Sequence, residues 1–402
     1  MGFIESPQRV WWRKAIFQIH LWVGIVLALY VIVISISGSV LVFEDEIAGD
    51  TPRTLSHALG AKPLSWEGMV AAAQKLHPDY SVTRIEDGSS RGEAISIFLG
   101  NRSDPGDRRA ASFDPFTGRL LVDRENNFGK YHRILNFIED LHIELVSGRR
   151  IGRPVNGACA AFLLLLCATG IVIWWPGLRR WKQALGVKWS AGWKRVNFDC
   201  HSAVGFWTLL MISVWAITGV YFGYAQPVRS ALATIIPFAA SAPAPKTTWK
   251  PGDPTLSLSD LYRQAQRALP GRHIHRMDLP TRPGGTVDVS FEPNQSPHYL
   301  YGESVLLNPS TGEILRIRDA WKDGKTGDHL LRMMFMLHFA EFDSLPLRIV
   351  FALVGLSPAV LAISGALMWW NRALRKKWSL LLKGNSPPVS VREPEMRQLG
   401  SA

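Results

Sequence analysis

The chain has 402 residues, 47% of them hydrophobic, and carries 45 Lys and Arg against 33 Asp and Glu for a net charge of +12. Four long stretches contain no charged residue at all, so this is not an ordinary water-soluble domain, and the excess of base is better read against a lipid surface than against nucleic acid. Three cysteines are too few for a disulfide-built scaffold.

The uncharged stretches are residues 15–43, 154–178, 200–228 and 349–371. Each exceeds the ~20 residues that cross a bilayer core as helix, so four transmembrane helices are expected. The first is too long for a signal-peptide core and no small-residue cleavage site follows it; it is expected to stay as an anchor. In chain order the reading is an arm and helix over 1–43, an outer module over 44–130, an interfacial helix and second span over 131–178, and a basic loop over 179–199. A third span follows over 200–228, then a second outer module over 229–325, an interfacial helix and fourth span over 326–371, and a tail over 372–402.

The two halves repeat at a period of roughly 180–195 residues. After the first span come a helical segment from Ser65 to Leu76, the stop His77-Pro78, alternating strands such as Ala94 to Phe98, the turn Asp114-Pro-Phe-Thr-Gly118 and a strand from Arg119 to Val122. After the third span come Leu258 to Ala268, Leu269-Pro270, Val287 to Phe291, the turn Asn308-Pro-Ser-Thr-Gly312 and Glu313 to Arg316. Pro at the second turn position and Gly at its close are ordinary β-turn chemistry. The expected fold is thus an integral membrane, mainly α protein: a four-helix transmembrane bundle arising from an internal duplication, with two periplasmic α+β modules.

Orientation follows from the basic residues. The N-terminal arm, the loop 179–198 and the tail from Arg372 hold sixteen Lys and Arg against three acids. The two long loops are balanced. Both termini are therefore expected in the cytoplasm and both long loops outside, in a bacterial inner membrane. Nucleic acid is not expected as a partner.

The spans carry histidines in a repeated setting. His20 is followed by Gly24 and Ser37-Gly38; His201 is followed by Gly205 and Thr218-Gly219 at the same offsets. An ionisable side chain inside an apolar span is costly and marks a functional site by default. His20 and His201 could each hydrogen-bond a Ser or Thr of a neighbouring helix, but their equal depth and the Gly one turn on favour a pair of ligands. Glycine there removes bulk where a flat macrocycle, or another helix, approaches. Two neutral imidazoles facing across a bundle can hold a haem iron.

A second pair lies at the outer side. Leu141-His142 precedes Thr169-Gly170 and Trp174-Trp175, and Leu337-His338 precedes Ser364-Gly365 and Trp369-Trp370. His142 and His338 share apolar helical faces and are the expected outer ligands; His132 and His329, earlier in the same segments, are the alternative. The paired Trp residues read as an aromatic belt. Arg149, Arg150 and Arg153 could pair with haem propionates or mark the membrane border. No Cys-x-x-Cys-His occurs, so any haem is non-covalent b-type. No glycine-rich nucleotide loop or His-Glu-x-x-His is present.

The duplicated His helix with Ser/Thr-Gly, the Asp/Asn-Pro-x-Thr-Gly turns and the Leu-His before a span ending in Trp-Trp together resemble the PepSY-associated transmembrane family, over roughly residues 10–375. Relatives of this kind include FoxB-type inner-membrane reductases of Gram-negative bacteria. The resemblance implies a di-haem b oxidoreductase that passes electrons from a quinol or a cytoplasmic reductase to Fe(III) in a periplasmic ferric siderophore. The rival readings are a siderophore or haem permease, against which no broken-helix signature is visible, and a non-enzymatic partner-binding membrane protein.

Overall fold

The computed structural model describes residues 10–48, 64–89, 93–104, 107–125, 130–240, 243–292, 302–342 and 344–373. In chain order the elements begin with helices α1 (Trp11–Leu41), α2 (Glu44–Ala48) and α3 (Trp66–Leu76). Strands β1 (Tyr80–Asp87), β2 (Ile95–Asn101), β3 (Arg108–Phe113) and β4 (Leu120–Glu125) follow. Then come α4 (Lys130–Glu144), α5 (Gly148–Trp174), α6 (Trp181–Ala184), α7 (Trp193–Gly223), α8 (Ala225–Leu232) and α9 (Leu258–Ala268). The chain closes with β5 (Ile274–Asp278), β6 (Val287–Phe291), β7 (Glu303–Leu307), β8 (Ile314–Asp319), α10 (Thr326–Phe339), α11 (Leu345–Gly355) and α12 (Ser357–Ala373).

Among the described residues four stretches are long and apolar enough to cross a membrane: α1, α5, α7 and the run Leu345–Ala373. Large apolar side chains on them stand exposed, Val26, Leu29 and Leu210 at 74–78%. Water would not tolerate such a surface, whereas lipid makes it the low-energy one. The third span begins earlier than the uncharged run suggested, because the helix extends back through Lys194 and Arg195 to Trp193. The fourth is not one helix. It breaks at Leu356, just before Pro358, which has no N–H to continue the ladder.

The described residues fall into two units. One takes those up to Ile32, from Leu165 to Leu209 and from Ser357 onward; the other takes Val33 to Leu164 and Leu210 to Leu356. In the first unit, segments of α1, α5, α7 and α12 pack on one another. Arg13 donates to the carbonyls of Ile173 and Trp175 at the end of α5, where a helix leaves its last carbonyls unpaired. Trp174 stacks on Phe206 of α7 with ring centres 4.2 Å apart, and Arg372 lies over the ring of Phe17.

The second unit holds a single eight-stranded antiparallel sheet in the order β4-β3-β2-β1-β5-β6-β7-β8. Two separate modules were expected; here both halves share one sheet. The seam is the antiparallel pairing of β1 with β5, at Arg84↔Asp278 through Glu86↔Arg276, closed by a 2.8 Å bond from Arg84 Nε to Asp278 Oδ1. Each half alone would present an open strand edge, and pairing them removes both edges. Strand residues alternate: Ile85, Ile95, Ile97, Met277, Val287, Val289 and Val305 are fully buried on one face. That face is covered by α3 and α9, through Trp66, Met69, Leu261 and Ala265. The sequence-read turns form as expected, with Asp114 Oδ1 and Asn308 Oδ1 accepting backbone N–H groups and Gly118 and Gly312 at positive φ.

In the same unit small residues let helices touch. Cα of Gly157 on α5 lies so near Gly223 on α7 that a Cβ on Gly223 would fall 2.6 Å from it. On α1, Ser35 Oγ donates to the carbonyl of Gly355 (2.6 Å) and Ser39 Oγ to that of Ala352 (3.0 Å). The Gly355 carbonyl stands at the break in the fourth span, and that of Ala352, one turn earlier, also accepts the Leu356 N–H.

Candidate functional site

The first unit brings His20 of α1 and His201 of α7 together, ring centres 6.5 Å apart and planes at 87°. Each ring is held from behind by a hydroxyl. His20 Nδ1 lies 2.9 Å from Thr169 Oγ1 on α5, and His201 Nδ1 lies 2.8 Å from Ser364 Oγ on α12. The hydroxyl protons have another use. Thr169 Oγ1 donates to the carbonyl of Leu165 at 2.7 Å and Ser364 Oγ to that of Leu361 at 3.1 Å. A hydroxyl whose proton is engaged can only accept from the imidazole, so Nδ1 carries the ring proton and Nε2 keeps its lone pair.

The second unit repeats the arrangement. His142 of α4 and His338 of α10 have ring centres 6.3 Å apart. His142 Nδ1 meets Ser37 Oγ at 3.0 Å and His338 Nδ1 meets Thr218 Oγ1 at 2.5 Å. Ser37 in turn donates to the carbonyl of Val33 and Thr218 to that of Val214. Burial pushes the His142 imidazole down to about 4. His338 is pushed to about 3, by burial and by the neighbouring His142. Both are neutral at physiological pH and able to ligate.

Three of the four hydroxyls are followed by a glycine on which a ring rests. A Cβ on Gly38 would fall 2.7 Å from Cε1 of His142, on Gly170 3.3 Å from Cε1 of His20, and on Gly365 3.4 Å from Cε1 of His201. The Ser/Thr-Gly dipeptide thus sets the tautomer through its hydroxyl at all four rings, and the missing side chain is demanded at Gly38, where a Cβ would collide with the His142 ring. The dipeptide was visible four times in the sequence; its partner was not, because each histidine lies 105–163 residues away.

The spacing of the rings says what fits between them. Two metal–imidazole bonds of ~2.0 Å, each with ~1.1 Å from nitrogen to ring centre, sum to roughly 6.2 Å. Both pairs match that. Among the described residues no group of three or more His, Cys, Asp or Glu could hold a metal ion. Two nitrogens alone suit a metal that arrives with its remaining donors, in a flat ring.

Residues 17–372, which take in both pairs and the sheet between them in sequence, match the PepSY-associated TM region. The chain belongs to that family. No curated protein matches it. In this PepSY-associated protein the remaining sequence candidates lie as follows. Gly24 and Gly205, one turn on from His20 and His201, are not demanded by a neighbouring helix: an added Cβ would make ordinary contact, with Leu166 at 3.8 Å and Leu361 at 3.5 Å. His329 lies against Trp321, ring centres 4.6 Å apart, and is not among the partners of His142 or His338. His132 lies on α4, but its side chain is outside the described residues, as are His57, His298 and the tail beyond 373. Arg153 and Arg149 pair with Glu144, at 3.0 and 3.5 Å.

Behind His142 the chain turns sharply into α5. Leu145 and Val146 both take positive φ (50° and 56°), and a Cβ on Gly152 would fall 1.6 Å from the carbonyl oxygen of Glu144. A β-branched residue in this region is strained, and such strain is kept where surrounding structure demands it. Asn156 Nδ2 ties the turn down by donating to the carbonyls of His142 (2.7 Å) and Ile143 (3.1 Å).

Proposed function

We propose that this PepSY-associated TM protein is a di-haem b oxidoreductase of a bacterial inner membrane. In this reading it passes electrons to Fe(III) in a periplasmic ferric siderophore and so releases the iron. The observation that carries it is the repeated unit of two imidazoles at 6.3–6.5 Å, each locked by a hydroxyl into the tautomer that leaves Nε2 free. Held by these imidazole pairs, haem b would supply one-electron transfer in preference to oxygen chemistry.

The chain's own residues would do the rest. His20 and His201 would hold one group, His142 and His338 the other. Thr169, Ser364, Ser37 and Thr218 orient the rings and raise their basicity, as hydrogen bonds behind metal ligands do. Apolar spans keep water from the ligands. An internal duplication accounts for the two equivalent settings. The positive arm, loop 179–198 and tail support a reading with both termini in the cytoplasm, where a quinol or a cytoplasmic reductase would donate. The siderophore's hard oxygens suit Fe(III) better than the softer Fe(II), so one electron loosens the metal without breaking the ligand.

The break in the fourth span invites the rival reading of a permease, since transporters bind substrate at interrupted helices. Here Ser35 donates to the carbonyl at the break and Ser39 to one a turn earlier, and this favours a packed kink over an open site. The test is a reduced-minus-oxidised spectrum of wild type, His20→Ala and His142→Ala. Wild type should show paired low-spin b-type bands, and each variant should lose half. Absence of the bands in wild type would end the reductase reading. Loss of the second group by His132→Ala, with His142→Ala unaffected, would move the ligand assignment.

A further inference from the structure

Beside the first pair, between α7 and α12, lies a wide-mouthed, groove-like cavity of about 580 Å³. Its α7 wall is Trp193, Asn197 and Cys200, spaced by four and three residues along one helical face. His201 is the next residue, about 100° further round, so its ring leaves from a different face and meets the cavity only through Ser364. The cavity is thus separate from the space between the imidazoles. Its α12 wall includes Val360 and Ile363, each nearly half exposed, and Ser364, which is 5% exposed. Trp189 and Trp193 stand at the open side, 74% and 54% exposed.

Three properties narrow the occupant. The lining contains no charged side chain. A phosphate-bearing cofactor or a phospholipid headgroup would want cations, and finds none there. The walls are aromatic and branched aliphatic, at the end of a span that starts beside Lys194 and Arg195, the depth where amphipathic rings settle. Two polar groups stand at the deep end. Asn197 Nδ2 donates one proton to the carbonyl of Ser364 (3.0 Å), which leaves its second N–H to donate to a quinone oxygen and its amide oxygen to accept from a quinol hydroxyl, and Ser364 Oγ is the hydroxyl behind His201.

We propose that this cavity binds the head of a lipid-soluble quinone or quinol, with the ring among Trp189, Trp193 and Ile363, its oxygen at Asn197, and its isoprenoid tail leaving into lipid. The volume suits a single substituted ring, within the ~300–1,000 Å³ of small-molecule sites. Its purpose rests on the redox reading of His20 and His201; its binding does not. Of the two donors open from the sequence, this selects the one that reaches the protein through the membrane.

Cys200 supplies the readout, with Cys159 on α5 as internal reference. The full-length protein is treated with a membrane-permeant maleimide, with and without a fully ring-substituted ubiquinone bearing one isoprenoid unit. Labelling at each cysteine is then read by peptide mass. Quinone should slow Cys200 labelling at least five-fold and leave Cys159 unchanged. Ile363→Trp, which fills the cavity, and Asn197→Ala, which removes the N–H that donates to the quinone oxygen, should both abolish or weaken the protection. No slowing in wild type, or equal slowing by an isoprenoid alcohol without the ring, overturns the proposal. The optical spectrum of the same sample separates the two readings. Protection without b-type bands would remove the reductase and keep the cavity; bands without protection would do the reverse.

Discussion

Replacing Gly38 by Ala would place a methyl carbon 2.7 Å from Cε1 of His142. Ordinary contact begins near 3.4 Å, so the ring or the helix would have to move by about 0.7 Å. Metal–ligand distances hold to within roughly 0.2 Å, so the displacement exceeds what a bond at Nε2 can absorb several-fold. Moving the ring also pulls Nδ1 from Ser37, now at 3.0 Å. Loss of such a supporting bond alone costs roughly 10–100-fold in metal affinity, about 1.4–2.7 kcal/mol. Gly170 and Gly365 provide the comparison, because a methyl there falls 3.3 and 3.4 Å from its histidine and asks the ring to give by at most a few tenths of an ångström. Haem per chain, measured as the pyridine haemochrome beside the reduced-minus-oxidised spectrum, should drop by half in Gly38→Ala and stay unchanged in Gly170→Ala and Gly365→Ala. A Gly38→Ala protein with full haem and unshifted bands would refute this account of how His142 is seated. Equal losses in all three variants would refute the ranking by distance.

Thr169→Val should weaken haem retention by His20 roughly 10–100-fold while Thr169→Ser restores it, because only the hydroxyl is required; a valine variant that keeps its haem through dilution contradicts this. Gly24→Ala should leave thermal stability within about 0.5 kcal/mol, since its methyl meets only Leu166 at 3.8 Å. It should still lower haem occupancy at His20 and His201, and unchanged occupancy would show that this glycine leaves room for nothing. Gly223→Ala drives a methyl against the backbone of Gly157 and should cost about 1–3 kcal/mol, read as a lowered Tm. Burial holds the Asp288 carboxyl above its ordinary range, so ionising it costs stability as pH rises through that range. Asp288→Asn should therefore raise Tm at neutral pH and have little effect near pH 3; a Tm lowered at both would mean that its contacts with Ser304 and Arg318 outweigh the burial.

Much of this protein was written locally. Four spans could be read because an uncharged run of membrane length needs nothing but its own composition to be recognised. The α+β segments, the Asx-type turns at Asp114 and Asn308, and helices over Trp66–Leu76 and Leu258–Ala268 followed from the internal repeat, the proline stops and the turn residues. The break at Leu356 was missed although Pro358 marks it, because hydropathy is blind to a missing N–H. The joining of both modules into one sheet was also missed: it rests on a short β1–β5 pairing between residues nearly two hundred positions apart, and an antiparallel edge carries no sequence mark of its partner.

The histidines divide in the same way. Composition and repetition alone singled out His20, His201, His142 and His338, and set Ser37, Thr218, Thr169 and Ser364 each before a glycine. Only the tertiary structure decided that every one of those hydroxyls stands behind one of those rings, and that two grouped pairs result. The reason is physical: a tautomer is set by a hydrogen bond, and a hydrogen bond between helices depends on which faces meet, which no single span encodes.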